Sequence, residues 1–142
     1  MPIHARPSHR RHPGLQIALI LATIAVGLAS RKFPGLLPTF LGQYPGDALW
    51  ATMVFFLWGL VLPKASIARV AALALATSWI VEFAQFIQAP WLVALRSTTI
   101  GHLILGSTFH APDLVAYTVG VGLGAGLERA LRGKIQKETK QP

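Results

Sequence analysis

EFAQFIQAPWLVALRSTTIGHLILGSTFHAPD, residues 82–113, is the stretch that decides how this chain is read. It opens with a carboxylate, Glu82, near the end of one apolar run, and closes with another, Asp113, where the next begins. Arg96 is the only lysine or arginine between them. A charge inside hydrocarbon is costly unless it is paired or hydrated, so an ionisable residue there is a functional-site candidate by default. Outward from this stretch, the chain reads as the membrane scaffold that holds it.

The 142 residues suit one domain, with 53% apolar and 13% charged residues. The charged share is about half of the roughly 25% usual in soluble domains. Four apolar runs fall near the length that crosses a hydrocarbon core, at about 14–30, 46–62, 67–87 and 112–131. The fold expected is therefore all-α: a polytopic four-transmembrane-helix bundle. The first run, followed by Arg31-Lys32, also has the outline of a cleavable signal peptide. Three further runs favour its retention as an anchor.

Residues 1–13 are basic and broken by proline, and read as a disordered cytoplasmic tail; residues 132–142 read as a second basic tail. Between them, residues 14–131 form the transmembrane domain. Residues 33–43 carry two prolines and two glycines, so they suit an irregular path along the membrane surface. Thr98 to Gly106 is apolar but too short to cross. With Ser97-Thr98 as an N-cap and Gly106 as a stop, it reads as an interfacial or re-entrant half-helix between helices 3 and 4.

Four spans put both termini and the 63–66 turn on one side. That side carries ten basic residues: Arg6, Arg10, Arg11, Lys64, Arg69, Arg129, Arg132, Lys134, Lys137 and Lys140. The other carries three, Arg31, Lys32 and Arg96. The imbalance places the termini in the cytoplasm. It also accounts for the formal charge of +8 without a nucleic-acid partner.

In that orientation Glu82, Asp47 and Asp113 all fall at the outer end of the bundle, with Arg31, Lys32 and Arg96. Asp47 and Asp113 sit where a carboxylate can cap a helix. Gln85 lies one turn above Glu82 and Tyr117 one turn below Asp113. The candidate ligand-binding set is Glu82, Gln85, Arg96 and Asp113, with Asp47 and Arg31 behind them. Glu82 and Arg96 are candidates to pair, and Arg96 beside the half-helix start is a place for an anion. The absence of cysteine removes thiolate chemistry and cysteine zinc sites. His102, His110 and Asp113 make only a weak metal pattern, so no metal and no cofactor is expected. With no nucleophile or phosphate loop beside the carboxylate, catalysis ranks last, with Glu82 as its general base. The small residues Ala116, Gly120 and Gly124 suit close helix packing, inside the bundle or between copies. The four tryptophans suit interface anchors and core.

These residues also carry a resemblance. Gly46-Asp47-Ala48-Leu49-Trp50, Glu82-Phe83-Ala84-Gln85, Trp91, Leu95-Arg96-Ser97-Thr98, Gly101, Leu105-Gly106, Phe109, Asp113, Tyr117 and Gly120 resemble small bacterial integral membrane proteins grouped as domain of unknown function 2809. The spacing of glutamate, glutamine, arginine and aspartate is also similar to VanZ-like proteins, although Tyr117-Thr118 stand where those commonly carry an asparagine. The resemblance implies a multi-pass protein of the bacterial inner membrane. The VanZ-like part implies a role at the cell surface, where glycopeptide antibiotics act. On this reading the chain binds a lipid or cell-envelope headgroup in an outer-leaflet pocket. The alternative is a structural or accessory subunit of a larger membrane complex. The partners expected are membrane lipids, an envelope glycolipid headgroup, and a membrane-protein partner or second copy through Gly120 and Gly124.

Overall fold

The computed structural model describes residues 9–140, and every regular element among them is helical. The elements are α1 (Pro13–Lys32), two 3-10 turns (Pro34–Leu36 and Thr39–Leu41), α2 (Tyr44–Val61), α3 (Ile67–Ala84), α4 (Pro90–Arg96), α5 (Thr99–Leu105) and α6 (Ala111–Thr139). Local chemistry sets their ends. Pro13 fixes the first turn of α1, and Arg31 and Lys32 meet the negative end of its dipole. Ser66 caps α3 by accepting the Arg69 backbone N–H at 3.2 Å. Thr98 does the same for α5 with Gly101, and α5 stops at Gly106, whose φ of 65° suits a residue without a Cβ.

The helix α2 lies at the centre and packs on α1, α3 and α6, while α3 also packs on α6. α2 and α6 run the same way, since Trp50 meets Tyr117 and, further along, Phe55 meets Gly124. Their contact is close. A Cβ on Gly120 would lie 1.9 Å from the Ala48 carbonyl oxygen, and the Thr52 hydroxyl reaches the Gly120 carbonyl at 2.7 Å. The small residues thus serve an approach of two backbones. Within the chain, Gly120 and Gly124 face α2, meeting Ala48 and Phe55.

Phe55 and Phe56, edge to face at 5.5 Å, fill the core with Val70, Ala74 and Val121. Trp58 ties α2 to α3 by donating from Nε1 to the Thr77 hydroxyl at 2.9 Å. The outward faces are apolar as well, with Leu21, Val26, Ile80, Val115 and Leu123 exposed. Continuous apolar exposure of this kind suits contact with lipid rather than water. α1, α3 and α6 are each long and apolar enough to cross a membrane.

Several expectations are corrected here. α3 ends at Ala84 rather than residue 87, and α6 continues past residue 131 to Thr139. A helix that the sequence reading did not foresee, α4, fills the loop before α5. The disordered tail expected over residues 1–13 lies outside the described residues as far as residue 8, but its last part is held. Arg11 is 5% exposed, and its backbone N–H donates to the Pro63 carbonyl at 2.9 Å. Its guanidinium donates to the Leu62 and Ala65 carbonyls and lies 2.8 Å from Glu128 of α6. A buried carboxylate and free carbonyls at the end of α2 are the physical reason this arginine leaves solvent.

Candidate functional site

The end of the bundle where α1 and α3 finish and α2 and α6 begin gathers the polar residues. Glu82, on the last turn of α3, is fully buried. It accepts three hydrogen bonds: from the His110 backbone N–H at 2.7 Å, the Gln85 amide at 3.0 Å and the Tyr117 hydroxyl at 2.9 Å. The carboxylate therefore ties α3 to the start of α6 and to the loop before it. All three donors are uncharged, so this is a hydrogen-bonded junction rather than an ion pair.

Beside the junction is a cavity of about 110 Å³. Arg31, Asp47, Gln85 and Asp113 all line it, together with Trp50 and Tyr117. Arg31 donates to Asp47 at 3.3 Å, a long contact between partly open side chains. Asp47 meets a cation here instead of capping α2, whose preceding residue, Gln43, makes no side-chain cap. Asp113, in the first turn of α6, is 5% exposed. Its Oδ2 is 4.0 Å from His110 Nδ1, which also lies 3.1 Å from the Thr108 carbonyl. That carbonyl can only accept, so the proton sits on Nδ1.

Gln85 links the junction to the cavity. Because its Nε2 must face the Glu82 carboxylate, its Oε1 is turned the other way, and that oxygen has no partner among the described residues. Asp113 Oδ1 and Asp47 Oδ2 are likewise buried without a donor. Buried polar atoms without partners are uncommon and call for an explanation. Gly106 is necessary for this arrangement, because a Cβ there would come within 2.7 Å of Gln85 Nε2.

Two expectations about the site are corrected. Arg96 does not meet Glu82. Its guanidinium donates to the Ala84 carbonyl at 2.6 Å and the Ile87 carbonyl at 2.8 Å, closing the end of α3, whose last carbonyls lack partners within the helix. It borders a more open depression with Ser97, Thr98 and His102, which adjoins the cavity at His102, Leu103 and Ser107. Glu82 lies behind the cavity, with both oxygens already used, so it positions Gln85 and Tyr117 rather than facing a ligand. Arg31, which ranked second, is the arginine at the cavity. Trp50 and Tyr117 were not in the candidate set. Tyr117 was legible as a polar residue one turn from Asp113, whereas Trp50 looks in sequence like any interface anchor. Among the described residues no cluster of three or more metal-ligating side chains occurs.

Fold and site together define an all-helical protein whose apolar helices are compatible with a membrane and which gathers one polar cluster around a cavity at one end of the bundle. Residues 36–121 match the family described as Protein of unknown function (DUF2809), and the chain belongs to that family. No solved structure matches the chain.

Proposed function

We propose that the chain is a four-span membrane protein whose cavity binds a lipid or cell-envelope headgroup. α2 is counted as the fourth span because it lies among α1, α3 and α6 and shares their layer. The ten-to-three distribution of lysine and arginine then puts both termini in the cytoplasm and the cavity in the outer leaflet. The exposed Leu36, Phe40, Trp91 and Ile100 support an interfacial position for the 33–43 segment and for α4 and α5. The bacterial inner membrane and a VanZ-like surface role rest on the resemblance described above. Reporter fusions check the topology: those after Pro63 and Lys140 should report cytoplasm, and those at Thr39 and Pro90 the exterior. A C-terminal fusion active only outside would rule out four spans.

The observation that carries the binding function is the set of three buried acceptors without partners among the described residues, on Asp47, Gln85 and Asp113, three residues that line one cavity together with Arg31. A donor-bearing headgroup satisfies them. Bacterial polar lipids added to the purified protein in mild detergent should raise its melting temperature, as any ligand of the folded state does. Asp113→Asn and Arg31→Gln should each weaken that response about tenfold in lipid concentration, which corresponds to about 1.4 kcal/mol. Equal responses from wild type and both variants would refute headgroup binding at this cavity.

A further inference from the structure

The polar cavity has an apolar neighbour. A groove of about 290 Å³ runs along α1, α2 and α5, lined by Ile24, Gly27, Leu28, Leu49 and Met53, and its wall is almost wholly apolar. Arg31, Trp50, Leu103 and Ile104 line both the groove and the polar cavity. The two therefore adjoin at these four residues, with a polar cavity inside the bundle, an arginine where they meet and an apolar groove beside it. That sequence of surfaces follows an amphiphile from head to tail.

The charges indicate which amphiphile. At the polar end stand two carboxylates and an amide oxygen, three of whose acceptor atoms have no partner among the described residues. A primary ammonium carries three N–H donors, and a quaternary ammonium carries none. Among the described residues the Arg31 guanidinium makes one long bond, to Asp47, and it retains donors for a phosphate, which arginine holds in a bidentate fork. Its place at the junction of cavity and groove matches the place of a phosphodiester between headgroup and acyl chains.

Resting on the headgroup reading above, we propose that the ligand is a phospholipid with a primary-amine headgroup. Its ammonium sits among Asp47, Gln85 and Asp113, its phosphate on Arg31, and one acyl chain in the groove of α1, α2 and α5.

The test is a titration of the full chain in mild detergent with dihexanoyl phosphatidylethanolamine, phosphatidylcholine and phosphatidylglycerol. Glycerophosphoethanolamine, which carries the headgroup without chains, is titrated beside them. The ethanolamine lipid should bind at least tenfold more tightly than either of the others. Gly27→Phe fills the groove from a position where a first side-chain carbon meets only Leu49, at 3.7 Å. It should lower affinity for the ethanolamine lipid at least tenfold while leaving glycerophosphoethanolamine binding unchanged. If Gly27→Phe does not fold, Leu28→Trp, on the exposed rim of the groove and outside the polar cavity, takes its place. Equal affinity for the three lipids would overturn the amine assignment and leave headgroup binding standing. Selective binding that survives the groove-filling change would overturn the acyl-chain assignment alone. If neither these compounds nor a polar lipid extract bind, both this inference and the headgroup reading are overturned.

Discussion

Glu128→Leu is expected to destabilise the folded chain by about 3–5 kcal/mol, the range for removing one member of a buried ion pair. Glu128 is 4% exposed, and one of its oxygens serves two arginines, Arg11 at 2.8 Å and Arg132 one helical turn along. Without it, two cations face each other, one of them 5% exposed and held among the described residues by the carbonyls of Leu62 and Ala65. The sharing also predicts an order. Arg11→Met leaves Glu128 balanced one to one by Arg132, so it should cost less than Glu128→Leu despite removing more hydrogen bonds. Glu128→Gln should fall between wild type and leucine, because it keeps shape and an acceptor but not charge. Unfolding of the purified variants in mixed detergents gives the three values. If Arg11→Met proves as damaging as Glu128→Leu, the carboxylate is not the shared centre of this cluster.

The clustering of Arg11 and Glu128 shows what could and could not be read in the sequence. Apolar run lengths and flanking charges located all four long helices, because a run of suitable length bounded by Arg31-Lys32 or by proline has few alternatives. Small residues on α6 signalled a close approach, yet sequence does not say which helix approaches. Glu128 was open to the same argument as Glu82, a carboxylate near the end of an apolar run, and it would have called for a partner. Arg11 was misread because proline and histidine around it resemble a solvated tail. The attempt to pair Glu82 with Arg96 failed for another reason. Charges invite pairing with charges, whereas the partners here are backbone carbonyls of Ala84 and Ile87 and a backbone N–H of His110. Such partners exist only once the helix ends are fixed. The cavity could be named by level and only in part by membership: Arg31, Asp47, Gln85 and Asp113 stood among the candidates, whereas Trp50 joins them only through the packing of α1 and α3 around α2.

Glu82→Leu should be the most damaging change at the other end of the bundle, at about 3–5 kcal/mol. It strips the partner from two buried donors, on Gln85 and Tyr117, and from the part-buried His110 backbone N–H, and each buried donor left unpaired costs about 1–3 kcal/mol, partly relieved by relaxation. Glu82→Gln should be milder, since its oxygen still accepts, but its amide nitrogen must face at least one of the donors on Gln85, Tyr117 or His110. Tyr117→Phe removes one donor and leaves Glu82 with two, so it should cost about 1 kcal/mol. Because Tyr117 and Glu82 share a bond, the pair Glu82→Leu with Tyr117→Phe should lose less than the sum of the single changes, by about 0.5–3 kcal/mol. Arg96 has no partner in common with Glu82, and Glu82→Gln with Arg96→Gln should add to within about 0.3–0.5 kcal/mol. Both cycles can be measured by unfolding in the same detergent mixture. Additivity in the first cycle would mean that Tyr117 and Glu82 do not share a bond, and strong coupling in the second would mean that Glu82 is held by the arginine after all. Released from Glu82, the Gln85 amide is free to turn its nitrogen towards the cavity. Glu82→Leu should therefore also weaken headgroup binding, although Glu82 itself never touches the ligand.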